Sequence, residues 1–208
     1  MRPRAARAER LIGRLVAAIK KSNTLRSMRR FALMKLLNFE FKAHLHNAAH
    51  VRATLKQLRA RFLGTDHQVD TYFRVATGRL KTREGRIENS LIFYQRTNSP
   101  RARRSAVEMM LLPRRNSVRA ILSRALGVLA VVDKRREIYF VGNVKIHLDR
   151  VRGLGTFVEV EAMTRTGDVR KVRAQAAKFR KLFAIPAADI VPQSYSDLIL
   201  KKAEKRRG

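Results

Sequence analysis

The chain has 208 residues, of which 47 are Lys or Arg and only 16 are Asp or Glu, so its formal net charge is +31. Such an excess opposes compaction, which indicates a polyanionic partner, with nucleic acid ahead of an anionic membrane surface. Apolar residues make up 45% of the chain, enough for one globular domain, and the absence of Cys excludes disulfides, thiolate metal sites and cysteine nucleophiles.

The positive charge is spread along the whole chain. Residues 1–37 carry eleven basic residues and one acidic residue, and residues 201–208 carry five and one. Residues 38–200 keep +17, because 31 basic residues face 14 acidic ones there. We therefore predict a basic N-terminal extension (1–37), a folded domain with a positive surface (38–200) and a basic tail (201–208). No apolar run reaches the roughly 18 residues of a membrane span.

The N-terminal 37 residues have the pattern of a basic amphipathic helix, with Leu11, Leu15 and Ile19 at helical spacing. Mitochondrial targeting segments have this composition, and so do arms that insert into structured RNA. The sequence leaves both interpretations open.

Strict alternation of polar and apolar residues begins at Asn38 and predicts a two-faced strand over 38–45. A helix is expected over 48–62, with Leu55, Leu58 and Phe62 in its apolar stripe. Further strands are predicted at 67–75, 79–84, 90–96, 107–112, 130–141, 144–151 and 156–163, and further helices at 117–126, 169–183 and 195–205. Short connections between eight strands indicate a mainly antiparallel sheet in an α+β fold.

Charged residues recur on one face of successive strands. Lys81 and Arg83 share a face, as do Lys134 and Arg136. The same holds for Lys145, His147 and Asp149, and for Glu159 and Glu161. A solvated sheet face explains any single strand, but the repetition favours a closed eight-stranded barrel or tunnel with a charged lumen and helices packed outside. Tyr72, Tyr94, Phe73 and Phe93 fall at strand spacing and are expected to pack in the core.

Several ordered motifs give the chain a resemblance to a known family. Residues 38–42 (Asn-Phe-Glu-Phe-Lys) resemble the opening ExExK motif of the CYTH superfamily, which contains class IV adenylate cyclases, thiamine triphosphatases and other triphosphate hydrolases. Similar blocks follow at 68–73, 78–84, 91–96, 134–139, 143–149 and 153–161. The resemblance covers residues 38 to about 200.

The resemblance implies an antiparallel tunnel that binds a triphosphate with Mg²⁺ or Mn²⁺. Glu40, Glu159 and Glu161 would bind the metal, since hard cations choose carboxylate oxygen. Lys42, Lys81, Arg83, Arg96, Lys134 and Arg136 would bind phosphate oxygens. Lys42 and Asp149 are the catalytic candidates. A hydrolase would use activated water as the nucleophile, whereas a cyclase would use the ribose hydroxyl of its substrate.

Two features distinguish this chain from the family pattern. Asn38 replaces the first Glu of the opening motif, and an amide can bind a hard metal but contributes no charge, so weaker affinity is expected. Seven basic and four acidic residues assigned to the tunnel leave +3 there and +28 elsewhere. His147 is expected to be a hydrogen-bonding spacer between Lys145 and Asp149, with proton transfer as the alternative.

The large charge outside the tunnel favours a structural RNA-binding role. The sequence predicts a component of the mitochondrial ribosome, located in the matrix, with rRNA and neighbouring ribosomal proteins as partners. The predicted RNA contacts are Arg2, Arg4, Arg7, Arg10, Arg14, Lys20, Lys21, Arg26, Arg29, Arg30, Arg101, Arg103, Arg104, Arg170, Lys171 and Arg173. The alternative is an active triphosphatase or class IV adenylate cyclase that requires Mg²⁺ or Mn²⁺. Both are compatible with a nucleotide or other triphosphate in the tunnel.

Overall fold

The structure is a computed structural model that describes residues 33–96, 103–164 and 169–206. The side chains of Leu36, Arg96, Arg103 and Arg104 are outside the description, as are almost all of the predicted N-terminal extension and residues 207–208.

Eight antiparallel strands form a closed ring around a tunnel. In the order β1-β5-β4-β3-β2-β6-β7-β8, each strand pairs with the next, and β8 pairs with β1 to close the ring. The strands are β1 (Met34–His44), β2 (Arg61–Phe73), β3 (Arg79–Glu84), β4 (Ser90–Arg96), β5 (Arg103–Leu111), β6 (Val128–Val141), β7 (Val144–Val151) and β8 (Gly155–Thr164). The predicted eight-stranded antiparallel tunnel is confirmed.

The described residues form four α-helices outside the strands of the ring, namely α1 (Ala48–Gln57), α2 (Val118–Leu126), α3 (Val169–Leu182) and α4 (Tyr195–Glu204). A short 3-10 helix, Ala187–Asp189, connects α3 to the segment before α4. Within the described ranges, no helix is both long and apolar enough to cross a membrane.

Two-residue alternation places the larger of two hydrophobic clusters outside the ring. Phe39 and Phe41 of β1 pack in one cluster with Leu55 of α1 and Phe179 of α3. Because successive side chains of a strand point to opposite faces, the alternate residues of β1 face the tunnel. The closed ring therefore buries polar side chains in its lumen, as the sequence predicts.

The predicted helix over 48–62 is too long at its C-terminal end. Helix α1 ends at Gln57, and Arg59 then takes the left-handed conformation, with φ of 51°. Strand β2 begins at Arg61, which pairs with Phe140 of β6. Phe62 matches the helical spacing, but its ring packs on Tyr139 with the ring centroids 4.7 Å apart. Strand pairing therefore overrides the local helical pattern.

Helix α4 begins at the tunnel, since Ser194 and Tyr195 line its cavity. Tyr195, in its first turn, packs in a buried cluster with Val132, Val151 and Phe157. The helix begins with a capping box, in which the Ser194 hydroxyl accepts from the Asp197 backbone N–H and the Asp197 carboxylate accepts from that of Ser194. Capping satisfies backbone donors that the first turn leaves free, so the N-terminus of α4 is held at the tunnel.

Candidate functional site

The tunnel contains a cavity of about 340 Å³ with two different walls. One wall, here called the charged wall, consists of ionisable side chains from β1, β2, β3, β6, β7 and β8, and from Glu88 in the β3–β4 turn. The opposite wall, here called the apolar wall, includes Ile92 of β4 and Val107, Met109 and Leu111 of β5. The cavity therefore presents one polar and one apolar surface to a ligand.

Asp70 of β2 is the counterion for three of the predicted phosphate-binding residues. Its carboxylate lies 2.9 Å from Lys81 Nζ, 2.9 Å from Arg83 Nε and 2.7 Å from Lys134 Nζ. Burial alone would raise the pKa of Asp70, but the charges of Arg83, Lys134 and Lys81 hold it well below its ordinary value. Three buried cations thus share one carboxylate as their common partner.

Lys134 is the most deeply buried of these cations, since 0% of its side chain is exposed. Burial lowers the pKa of Lys134 to about 7, and repulsion from Arg83 and Arg136 acts in the same direction, against the attraction of Asp70. Lys134 does not line the cavity, so it acts on the site through Asp70. A ligand that brings negative charge would favour its protonated form.

Arg136 of β6 is held by a second set of carboxylates. Its Nε and Nη2 each donate to Asp149 at 2.6 Å, and Nη2 also donates to Glu159 Oε2 at 2.8 Å. The Tyr195 hydroxyl donates to Asp149 Oδ2 at 2.7 Å. Asp149, predicted to be catalytic, is fully buried behind Arg136 and does not line the cavity, so its place is that of a positioning residue for Arg136.

Lys42 of β1, the other predicted catalytic residue, does line the cavity. Its Nζ lies 3.4 Å from Glu159 Oε1 and 3.9 Å from the centroid of the Tyr195 ring. Burial would raise the pKa of Glu159, but Lys42 and Arg136 hold it well below its ordinary value. Lys42 and Glu159 therefore form a buried, charged pair at the cavity wall.

Two predicted metal ligands face each other across the β1–β8 pair. Glu40 lies directly opposite Glu161 in the strand register. Like charges in that position are destabilising unless a cation lies near them. Burial, together with the charges of Glu159 and Glu40, raises the pKa of Glu161 to about 7, although the charge of Lys145 acts in the opposite direction. The arrangement is typical of a cation site.

The donor atoms near this pair fit a divalent metal ion. Ligand atoms of His147, Glu159 and Glu161 all lie within 4.8 Å of one another. Asn38 lies two residues before Glu40, on the same face of β1. Its Oδ1 atom is buried and makes no hydrogen bond to any described residue. Carboxylate and amide oxygens are ligands of hard cations. His147 enters this set in addition to the three predicted glutamates.

His147 is fully buried on β7, directly opposite Glu159 of β8. Burial lowers the pKa of its ring to about 3, and the charges of Arg136 and Lys145 act in the same direction. The imidazole is therefore neutral and has a lone pair available. The expected role as a hydrogen-bonding spacer is not met, since neither ring nitrogen makes a hydrogen bond to a described residue.

Sequence reasoning missed three acidic residues of the tunnel, Asp66, Asp70 and Glu88, so the expected charge of +3 is wrong. Asp66 accepts from the backbone N–H of Arg86 at 2.7 Å and so holds the β3–β4 turn. Glu88 in that turn pairs with Arg83 at 3.0 Å and with Lys145. Among the described residues, the basic cavity-lining side chains are Lys42, Lys81, Arg83, Arg136 and Lys145, and the acidic ones are Glu40, Asp70, Glu88, Glu159 and Glu161.

The lining charges of the described residues therefore balance. Alternation along β2 predicts that residues 66, 68, 70 and 72 share a face, and this signal was available in the sequence. Glu88 lies in a turn, for which periodicity gives no signal. Tyr72 and Tyr94 also line the cavity, rather than only packing in the core as predicted.

Most of the predicted RNA contacts lie outside the described residues. These are Arg2, Arg4, Arg7, Arg10, Arg14, Lys20, Lys21, Arg26, Arg29, Arg30 and Arg101, and the side chains of Arg103 and Arg104. Arg170, Lys171 and Arg173 are exposed on α3. The side chain of Arg96, predicted to bind phosphate, is also outside the description.

The outside of the ring carries a row of basic residues that sequence reasoning did not identify as a group. His67, Arg135 and Arg150 lie directly opposite one another across β2, β6 and β7. All three are exposed, and we call them the outer row. They border a shallow depression together with Arg86 and Arg152. Neither Arg135 nor Arg150 forms an ion pair with another described residue, whereas His67 lies 2.7 Å from Asp133.

Comparison with solved structures shows the same fold. The PH1012 protein from Pyrococcus horikoshii OT3 is 21% identical, with a TM-score of 0.65, and the match covers 77% of this chain and 98% of that chain. A Vibrio parahaemolyticus protein described as a candidate adenylate cyclase is 22% identical, with a TM-score of 0.64 and coverage of 78% and 97%. At this identity the likeness shows the fold alone.

A Hippeastrum protein, named as an adenylyl cyclase candidate with a dominant triphosphatase activity, has a TM-score of 0.51 at 17% identity. That match covers 82% of this chain and 96% of the Hippeastrum chain. No curated protein matches the sequence. The model of the CYTH domain family matches residues 36–195, which is most of the chain and contains the ring apart from the first two residues of β1. The chain therefore belongs to the CYTH domain family.

Proposed function

We propose that this protein binds an organic triphosphate and a divalent metal ion in its tunnel and hydrolyses the triphosphate. The observation that carries the proposal is the charged wall, where the opposed Glu40 and Glu161 lie beside the buried cations Lys42 and Arg136. Such a wall complements a metal ion and a polyphosphate together. The triphosphate activity, which the sequence analysis placed second, is thus the better supported function.

Positioned cations are the main requirement of phosphoryl transfer, because charge is spread over the phosphate oxygens in the transition state. Lys42, Lys81, Arg83 and Arg136 would donate to those oxygens from one side of the cavity. Glu159 and Glu161 would hold the metal ion, which supplies positive charge beside the phosphates and activates water for attack. Asp70 and Asp149 keep the cations in place before the ligand arrives, so little reorganisation is needed.

The apolar wall supports an organic triphosphate over inorganic triphosphate. Ile92, Val107 and Met109 offer no hydrogen bonds to phosphate oxygens, but they can contact an apolar or aromatic group. Burying such a group gains roughly 25 cal/mol for each Å² removed from water. Hydrolysis is preferred over cyclisation because it can act on any organic triphosphate, whereas cyclisation requires a substrate that carries its own ribose hydroxyl in position to attack. The activity named for the Hippeastrum protein agrees with this choice.

The test is phosphate release by the purified full chain with Mn²⁺ or Mg²⁺ from ATP, thiamine triphosphate and inorganic triphosphate. We expect turnover that a chelator abolishes, with an organic triphosphate preferred. Lys42→Met and Glu159→Gln should each lower kcat/KM by about 10² or more. Glu137→Gln is the matched control, because this glutamate lies outside the ring and pairs with Arg52. Full activity in Lys42→Met and Glu159→Gln would refute the proposal.

A second candidate function is binding of structured RNA by the outside of the ring, and the outer row favours it. Like charges directly opposite on neighbouring strands are destabilising, and phosphates of a nucleic acid would neutralise them. The role predicted from the sequence, a mitochondrial ribosomal protein of the matrix that contacts rRNA and neighbouring ribosomal proteins, remains a prediction within this second candidate.

The RNA test measures how the affinity of the full chain for structured RNA depends on salt. Replacing Arg135 and Arg150 by Gln should reduce the slope of log K against log salt by roughly 0.9 for each phosphate that the variant no longer neutralises. Arg52→Gln is the control, since this arginine is already paired with Glu137 at 2.6 Å. An unchanged slope in the double variant would exclude the outer row as an RNA-binding surface.

A further inference from the structure

The tunnel contains a histidine that the proposed triphosphate site does not otherwise explain. His147 Nδ1 lies 3.5 Å from Glu159 Oε2 and 3.9 Å from Glu161 Oε1, and no part of its side chain is exposed. Neither ring nitrogen makes a hydrogen bond with a described residue. Buried polar atoms without a partner are rare in folded proteins, so a missing ligand is the natural explanation.

The register keeps His147 at this position. It lies directly opposite Glu159 across β7–β8, and the preceding lumen residue, Lys145, lies opposite Glu161. On its other side, His147 lies opposite Ile138 of β6, which offers no polar group. The Nδ1 atom of the imidazole therefore faces the two glutamates, while the charges of Arg136 and Lys145 also act on the ring.

The mixture of donor atoms bears on which ion can occupy the site. Mg²⁺ and Ca²⁺ are bound by oxygen, and Mg²⁺ keeps several of its waters. A neutral imidazole nitrogen is instead a good ligand for first-row transition metals, which bind nitrogen and oxygen together. A site with one nitrogen and two carboxylate donors thus discriminates against Mg²⁺.

We propose that His147, Glu159 and Glu161 together form a mixed nitrogen and oxygen site that binds a first-row transition metal ion, with Mn²⁺ as the test ion, in preference to Mg²⁺. The inference rests on the proposed metal-dependent function and adds the identity of a ligand and of the ion class. A metal ion at this position would explain why the imidazole of His147 is buried in a lumen of charged residues. Glu159 would exchange part of its contact with Arg136 for the ion, while Asp149 still holds Arg136.

The experiment uses the full chain without substrate, so that it does not depend on activity. Electron spin-echo modulation of the bound Mn²⁺ should show coupling to a ¹⁴N nucleus, which changes to the ¹⁵N pattern after labelling of the histidines. Titration of Mn²⁺, and of Mg²⁺ in competition with it, gives the two affinities. We expect Mn²⁺ to bind at least about tenfold more tightly than Mg²⁺.

His147→Gln replaces the nitrogen donor by an amide oxygen and should remove the ¹⁴N coupling and reduce the Mn²⁺ to Mg²⁺ preference by about tenfold or more, the range known for the removal of metal-site partners. His50→Gln is the control, because His50 is exposed on α1. If His147→Gln does not fold, the spectrum of the unmodified protein decides.

The outcomes separate this inference from the proposed function. Equal binding of Mn²⁺ and Mg²⁺ without nitrogen coupling overturns the role of His147 but leaves a metal-dependent tunnel. Absence of binding by either ion overturns both. Mn²⁺ binding with nitrogen coupling that survives in His147→Gln would also overturn the assignment, since another histidine would then be the ligand.

Discussion

The charged wall of the tunnel and the outer row contain the same types of basic side chain in opposite circumstances. In the tunnel, Asp70 alone lies within 2.9 Å of three cations. On the outside, Arg135 and Arg150 have no ion pair among the described residues, although they lie opposite each other. Burial makes the difference, because a charge removed from water requires a partner, whereas an exposed charge remains solvated.

This difference separates two ways of binding phosphate. Buried cations that are already held by carboxylates form a fixed, compact site, which suits a small ligand. Exposed cations without counterions attract any extended polyanion, and salt weakens the attraction. A change in the tunnel and a matched change on the outside should therefore have different effects on the protein.

The largest difference is expected for the two aspartates. Asp70→Asn removes the shared counterion of three buried cations, of which, among the described residues, only Arg83 keeps a second carboxylate, that of Glu88. This variant should lower the free energy of unfolding by roughly 3–5 kcal/mol. Asp133→Asn, which removes the partially exposed partner of His67, should lower it by less than about 1 kcal/mol. Urea unfolding of both variants measures the two values, and equal losses would contradict the comparison.

The next effect is the pH dependence of two glutamates. The pKa of Glu161 is raised to about 7 in the folded protein, so its contribution to stability is fully present below about pH 4.5 and is lost as the pH rises through 7. In metal-free protein, the free energy of unfolding of Glu161→Gln should therefore rise by about 3 kcal/mol relative to that of the unmodified chain as the pH increases from 4.5 to 8.

Glu137 on the outside should behave in the opposite way. The hydrogen bond with Arg52 lowers the pKa of Glu137. The contribution of Glu137 to stability is therefore present above about pH 4.5 and is lost as the pH falls through the lowered pKa. Unfolding free energies of Glu161→Gln and Glu137→Gln across this range, with a chelator present, test both signs. A constant difference between Glu161→Gln and the unmodified chain would show that Glu161 is ionised normally.

A smaller difference in stability is expected between variants of two tyrosines whose hydrogen bonds have the same length. The hydroxyls of Tyr195 and Tyr139 each donate to a carboxylate at 2.7 Å, to Asp149 in the tunnel and to Glu137 outside. Tyr195→Phe should lower the free energy of unfolding by about 1.5–3 kcal/mol, because water cannot replace the missing donor. Tyr139→Phe should cost less than about 1 kcal/mol. Thermal and urea unfolding compare the two, and a larger loss in Tyr139→Phe would reverse the comparison.

The smallest effect is expected for the outer row. Arg135→Gln combined with Arg150→Gln should change the stability by no more than about 0.5 kcal/mol, with a slight gain because repulsion is removed. Arg136→Gln, the next residue on the same strand, breaks a buried network and should cost roughly 3–5 kcal/mol. A loss above about 2 kcal/mol in the outer double variant would show that the row is needed for the fold.

Much of the candidate site could be predicted from the sequence because the side chains of a strand alternate. Lys42, Lys81, Arg83 and Arg136 all line the cavity, as the resemblance implied. The helix over 48–62 was overestimated because its last residues pair with β6, which is distant in the chain. The roles of Asp70 and Glu88 were missed because each depends on side chains from other strands.

By itself, the sequence determined which face of each strand is charged, that the chain resembles the CYTH family, and that its net charge exceeds what a tunnel requires. Closure of the ring decided which charges meet. It placed Glu40 opposite Glu161, and His147 opposite Glu159. Only the tertiary structure could decide this, because Coulomb energies and desolvation depend on distances and burial between strands that are far apart in the chain.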